Sequence, residues 1–210
     1  MAHKRGRLHL HSPDPDYQTK VDAIQAVLEQ AREKPALTRL LYADEVSFYR
    51  QPFVGDTWYQ KGTETFRAAL SHASNTRYRV TGTLDACTGQ VVWHGASKIG
   101  VRALCRWLVQ VRAFYGDTLR LVLAWDNWPV HKHEKVEQAA KDNKIELLYV
   151  PTYAPWTNPI EKLWRKMKQE VLCLHRLSDD WPGLRDKVAD FLNGFAQPNP
   201  ALVRYVGLQH

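Results

Sequence analysis

The sequence predicts an α/β fold, a mixed β-sheet with helices on its faces, and three observations predict it. Residues 119–125, Leu-Arg-Leu-Val-Leu-Ala-Trp, are nearly all apolar, as in a strand covered on both sides. Apolar residues at helical spacing stand before and after that run, over residues 99–115 and 133–142. Further upstream, residues 78–84 and 91–94 are strand-like and separated by a stretch holding Asp-Ala-Cys-Thr-Gly, turn chemistry that joins antiparallel strands. Antiparallel strands followed by helix-linked parallel strands make a mixed sheet in a layered domain.

Taken in order, residues 1–19 are polar and basic, with His3, His9 and His11 around Lys4, Arg5 and Arg7, then Pro13 and Pro15. A solvated tail or a basic arm touching phosphate explains them better than a metal site, since no acidic or cysteine ligand accompanies the histidines. Between residues 20 and 34, Val21, Ile24, Val27, Leu28 and Ala31 form one apolar stripe, an amphipathic helix ended by Pro35. Residues 37–49 are aliphatic and aromatic and read as a strand carrying Asp44; Asp44 and Glu45 point to opposite faces of it, so at most one joins a shared site. In the helix over 99–115, Leu104, Trp107, Leu108, Val111 and Tyr115 are the inner side, Arg102, Arg106 and Arg112 the wetter one, and Gly116 the stop. The apolar strand ends at Asp126. A polar helix with Val136, Ala139 and Ala140 inward leads to a last strand at 145–150, and beyond Ser178 a helix turns Leu184, Val188, Phe191, Leu192 and Phe195 inward.

At 210 residues the chain holds one domain with a substantial core, and its 44% hydrophobic content is globular rather than disordered. The formal charge of +7 and pI near 9.3 lean towards a polyanionic partner without identifying one. Three widely spaced cysteines, Cys87, Cys105 and Cys173, match no metal-ligand pairing and suggest reduced thiols. No apolar run approaches the ~20 residues of a membrane helix, and the basic N-terminus lacks the apolar stretch of a signal peptide. The expectation is a soluble cytoplasmic protein without a membrane partner.

The stretch that organises the chain runs over residues 151–168, a loop that stops and a helix that starts. Asn158 suits the N-cap and Pro159 the first helical position, and Ile160, Leu163, Trp164, Met167 and Val171 repeat at helical spacing, which puts Glu161 in the first turn. Asn158 and Glu161 also have the spacing of a capping box, which by itself accounts for the glutamate. Asp126 or Asn127 has an equally local account as a cap for the helix that follows. Against both stands the combination: 34 residues separate Asp126 from Glu161, and Asp44 lies in another apolar strand, so three carboxylates sit on core elements. If they converge, their repulsion must be relieved by protons, basic neighbours or cations. All-oxygen donors suit Mg²⁺ or Mn²⁺, and a pair of such ions supports in-line attack at a phosphodiester. On the helix after Glu161, Lys162, Arg165, Lys166 and Lys168 lie off the apolar stripe, as a DNA-binding face or merely a solvated one. His131 could hydrogen-bond a phosphate or a metal-bound water, or be a structural loop residue. Trp128 and Trp156, in loops near the site, either stack on bases or pack over it.

Three segments carry a resemblance: Tyr-Ala-Asp-Glu at Asp44, Ala-Trp-Asp-Asn at Asp126 with His131 after it, and Pro151-x-x-x-Pro155-x-x-Asn158-Pro159-Ile-Glu161-x-x-Trp164. Together they resemble DDE transposases, more narrowly the mariner superfamily and its bacterial insertion-sequence relatives of the six-thirty family. The resemblance covers roughly residues 36–175. It implies a ribonuclease H-like fold and two-metal catalysis in which water, then a DNA 3′-hydroxyl, attacks phosphodiesters to cut element ends and join them to a target, typically TA. By that carry-over Asp44, Asp126 and Glu161 are the catalytic metal ligands for two Mg²⁺ or Mn²⁺ ions, and Asn127, His131, Asn158 and Trp58 match auxiliary positions.

Three parts follow: a basic arm and linker helix over 1–35, a ribonuclease H-like DDE catalytic domain over 36–176, and a C-terminal helical extension over 177–210. Relatives carry upstream helix-turn-helix domains that the chain does not hold. It therefore resembles a catalytic half, whose end-binding domains come from a separate helix-turn-helix protein or an upstream reading frame, or else a truncated copy. Expected partners are double-stranded DNA and a second copy in a homodimer, in a bacterial cytoplasm at the nucleoid. Three functions stay open: a transposase catalytic domain, an idle fragment that binds DNA or an intact transposase, and a nuclease that only hydrolyses.

Overall fold

A run of β-branched, aliphatic and aromatic residues makes β1 (Thr38–Tyr49) the centre of the sheet, with every residue from Leu40 to Ala43 buried. The computed structural model describes residues 11–55 and 67–209. Helix α1 (Tyr17–Glu33) precedes β1, and the hairpin of β2 (Arg77–Asp85) and β3 (Val91–Ala96) follows it. Then come α2 (Val101–Tyr115), β4 (Arg120–Trp125), α3 (Glu134–Asp142) and β5 (Ile145–Tyr149). A 3-10 turn (Pro155–Thr157), α4 (Ile160–Met167) with a π-helical continuation (Lys168–Leu172), α5 (Trp181–Asn193) and α6 (Pro200–Val206) complete the order.

The sheet order is β3-β2-β1-β4-β5; β1 runs antiparallel to β2 and parallel to β4, which is parallel to β5. This is the mixed α/β sheet the sequence predicts. Alternation along β1 sorts the core into two layers. Leu40, Tyr42, Val46 and Phe48 pack with Val122 and Ala124 under α1, α4, α5 and α6. Leu41 and Ala43 pack with Leu121, Leu123 and Trp125 under α2 and α3. β4 is thus covered on both faces, as its composition requires, and its carboxyl end lies beside the middle of β1 and the carboxyl end of β5.

Two details differ from expectation. Arg112, placed by periodicity on the wet side of α2, is only 6% exposed. Its guanidinium donates to the carbonyls of Asn143 (2.6 Å), Gly116 (2.8 Å), Leu119 (2.9 Å) and Lys144, because the last turn of α2 lies over the α3–β5 connection, where carbonyls otherwise lack donors. The C-terminal part holds two helices rather than one, and Leu184, Val188 and Leu192 of α5 join Leu202, Val203 and Val206 of α6 in the same apolar layer as β1. Gly116 closes α2 as expected, at φ 75°, a conformation other residues adopt at a cost.

Candidate active site

Asp44, Asp126 and Glu161 line one cleft of about 470 Å³, with Asn127, Trp128, Asn158 and the loop 150–155 as its other walls. They arrive from three elements: the middle of β1, the residue after β4, and the first turn of α4. The carboxyl ends of parallel strands open there, where α/β sheets present polar groups to ligands.

Asp44 is opposite Gly82 on β2, and a Cβ at Gly82 would stand 2.9 Å from the ring of Trp164. That gap in the side-chain layer lets the indole lie over the sheet and donate its N–H to Asp44 Oδ2 at 3.0 Å. Burial, then the negative charges of Glu161, Glu45 and Asp126, push the Asp44 carboxyl up to about 8. For Asp126, burial opposes ionisation, but hydrogen bonds from His131 and the Trp128 N–H outweigh it and hold the carboxyl below its usual value. Both donors fall on Oδ1, at 2.7 and 3.0 Å.

His131 has no exposed surface and is stacked on Trp125, ring centroids 3.7 Å apart. Its Nδ1 faces Asp126 and its Nε2 lies 3.1 Å from Glu45 Oε2. Burial works against a charge on this ring, yet the two carboxylates raise it to about 9, so the imidazolium donates to both. Glu45 does point to the other face of β1 from Asp44, as alternation demands, but it still joins the site, through His131. Sequence reasoning missed it, because the contact depends on the loop after β4 folding back under β1.

The local accounts of these carboxylates fail. Asp126 does not cap α3, whose N-cap is His133. Asn158 does not cap α4: no side-chain cap bond starts that helix, and the Asn158 amide instead donates to the Ala43 carbonyl at 2.9 Å, tying the α4 entry to β1. The capping-box reading of Glu161 goes with it, and Glu161 is exposed at the cleft. Asn127 donates to the Val150 carbonyl at 2.6 Å and joins the ends of β4 and β5.

A family described as DDE superfamily endonuclease matches residues 39–182. The chain belongs to the DDE superfamily of endonucleases. A protein of insertion element IS630 from Shigella sonnei, described as an uncharacterized 39 kDa protein, is 28% identical over 191 residues, 90% of this chain and 54% of its own length. The chain thus spans about half of that relative. Among solved structures, the catalytic domain of Mos1 mariner transposase superposes with a TM-score of 0.62 at 14% identity, over 95% of this chain and 91% of that one. A Mos1 transposase paired-end complex with its left transposon end gives 0.67 at 16% identity, over 98% and 62%. At such identities the likeness shows the fold, which is the ribonuclease H-like one.

In this DDE domain the all-oxygen donor set and the uncompensated charge around Asp44 fit a hard divalent cation. Among the described residues no three His, Cys, Asp or Glu side chains converge to coordination distance. The basic residues of α4 divide. Arg165 and Lys168 are exposed, whereas Lys162 donates to the Val206 carbonyl at 2.8 Å, and Lys166 pairs with Glu170 and lies over the Tyr205 ring. Trp156 is 48% exposed and does not line the cleft; its indole N–H is on the Tyr17 hydroxyl. Trp58, His3 and His9 lie outside the described residues. No helix among the described residues is long and apolar enough to cross a membrane.

Proposed function

We propose that the chain is the catalytic domain of a DNA transposase that cuts phosphodiesters at element ends and joins the freed 3′-hydroxyls to target DNA. The observation that carries this is that three carboxylates from three separate segments line one cleft. Asp44, Asp126 and Glu161 would hold Mg²⁺ or Mn²⁺, two ions on this reading; paired-end complexes of the similarly folded Mos1 mariner transposase were determined one with Mn and one with Mg. When bound, such ions activate the attacking oxygen and stabilise the leaving one. The chain's own residues do the rest. The imidazolium of His131 holds Asp126 ionised, the loop 150–155 walls one side of the cleft, and exposed Arg165 and Lys168, with Lys162 and Lys166 beside them, offer positive charge to a DNA backbone. Double-stranded DNA with a TA target, a homodimer on paired ends, and end-recognition by helix-turn-helix domains on a separate protein or upstream frame complete the proposal.

Incubating the chain with pre-cut duplexes bearing a free 3′-hydroxyl, supercoiled target and Mn²⁺ tests it. Joined products, absent with Asp126→Asn, are expected. Nicks without joining would mean a nuclease, and a DNA mobility shift without either product would mean an idle binding fragment.

A further inference from the structure

The two aspartates are each held from behind by a buried donor, and the two donors come from opposite faces of the sheet. On the α2–α3 side, both hydrogen bonds to Asp126 fall on Oδ1, from His131 at 2.7 Å and from the Trp128 N–H at 3.0 Å. Its other oxygen, Oδ2, takes no hydrogen bond from the described residues. The donor ring cannot turn away. It is fully buried, stacked on Trp125 with 21° between planes, met edge-on by Trp128 at 5.3 Å, and fixed at Nε2 by Glu45. Glu45 is itself anchored, since its Oε1 accepts the Thr81 hydroxyl at 3.0 Å. The line Thr81–Glu45–His131–Asp126 therefore runs from β2 through β1 to the loop after β4. On the α4 side, Trp164 is 1% exposed and seated over Gly82, and its N–H takes Asp44 Oδ2.

We infer that Glu45, His131 and Trp164 are positioning residues: His131, held by Glu45, and Trp164 occupy one oxygen of each aspartate and so fix the angle at which the other oxygen meets a divalent cation. The inference rests on the proposal that Asp44 and Asp126 bind metal. A carboxylate free to rotate offers a cation either oxygen or both, whereas one pinned at Oδ1 or Oδ2 offers a single donor. Mg²⁺ and Mn²⁺ sites built on few carboxylates gain most from such a restriction, because Mg²⁺ demands near-ideal octahedral geometry. Outer partners of this kind typically alter metal affinity by about 10- to 100-fold when removed.

Glu45 gives the sharpest contrast with a purely structural role, because it reaches the proposed cation only through His131 and Asp126. If it merely filled space, Glu45→Gln, which keeps its volume, would leave the cation unaffected. If it orients His131, the same change loosens Asp126.

The test is Mn²⁺ binding to the full chain, followed by electron paramagnetic resonance of free Mn²⁺, for wild type, Glu45→Gln, His131→Ala, His131→Asn and Trp164→Phe. The unfolding midpoint of each in EDTA reports the fold separately. The Mn²⁺ dissociation constant should rise about tenfold or more for His131→Ala and Trp164→Phe, and by a smaller factor for Glu45→Gln. His131→Asn should recover much of the loss, because its amide nitrogen takes the place of Nδ1 and donates to Asp126. Should His131→Ala fail to fold, Trp164→Phe and His131→Asn still decide: Trp164→Phe removes the N–H with part of the indole but leaves an aromatic ring in the layer, and its midpoint in EDTA shows whether the fold survives. Folded variants that bind Mn²⁺ as the wild type does, while Asp126→Asn does not, would overturn the positioning inference alone. A wild type that binds no Mn²⁺ would overturn the metal-site reading and this inference with it.

Discussion

At the scale of single residues, Arg112 shows how much one buried side chain can hold. Its five N–H donors meet four backbone carbonyls from the end of α2, the start of β4 and the α3–β5 turn. Arg112→Met fills much the same volume and leaves those carbonyls without donors. Hydrogen bonds to charged groups are worth about 1.5–3 kcal/mol each and do not add, so a loss of about 3 kcal/mol is expected in urea unfolding, with the slope unchanged. Arg112→Lys should recover less than half, because one ammonium cannot span the fork. Periodicity put this residue on the wet side of α2 because a helical pattern gives an angle around one axis and says nothing of what another turn lays over that angle. The same limit hid Glu45 and Gly82: their roles come from strand register and from a loop returning under β1. That Asp44, Asp126 and Glu161 share one cleft was legible, by contrast, from their combination on three core elements, although in the sequence a cap accounts locally for Asp126 or Glu161 taken alone.

At the scale of elements, the strands and the helices other than α6 were legible because each satisfies a local period, and the mixed character of the sheet followed from which connections are hairpins and which are helices; that β4 lies beside β1 did not. What local patterns left out is how the segment before α1 is tied to the cleft. Asp14 Oδ2 accepts the Thr152 N–H at 2.8 Å and the Lys20 ammonium at 2.7 Å, and Ser12 donates to the Thr152 carbonyl at 2.5 Å. These bonds pin the loop that walls the cleft to the N-terminal segment. The Lys20 ammonium first, then the Thr152 N–H, hold the Asp14 carboxyl well below its ordinary value of 3.8. A carboxyl depressed in the folded state contributes stability that is present above the unfolded value and lost as pH falls through the folded one. The stability difference between wild type and Asp14→Asn should therefore stay constant from neutral pH down to about pH 5 and shrink below the ordinary aspartate range. Urea midpoints measured across the acid range check this; a difference that widened on acidification would contradict the assignment of the bond.

At the scale of the whole molecule, the relation of the last 34 residues to the rest decides what the smallest folding unit is. Reading along the chain sets residues 177–210 apart as an extension, since the three carboxylate segments end before them. In space they complete the layer beneath β1 and β4: Leu184, Val188 and Leu192 of α5 with Leu202, Val203, Val206 and Leu208 all lie under 9% exposed in one cluster with Leu40, Val122 and Trp164. Further ties reach across to other elements. Arg32 on α1 donates to the Leu208 carbonyl at 2.7 Å, Gln90 donates to the Ala196 carbonyl at 3.1 Å, and Trp93 donates to Asn193 at 3.0 Å. Each buried aliphatic side chain contributes about 1.5–3 kcal/mol, so uncovering this face removes an amount comparable to the 5–15 kcal/mol by which a domain is stable at all. It also unseats α4, whose Lys162 is bonded to the Val206 carbonyl and whose first turn carries Glu161. Ending the chain after Arg176 should accordingly give a protein without a cooperative thermal transition by near-ultraviolet circular dichroism and without a Mn²⁺-dependent shift, although every carboxylate of the site is still encoded. A truncated chain that melted cooperatively near the full-length midpoint would show instead that α5 and α6 lie on a core already complete without them.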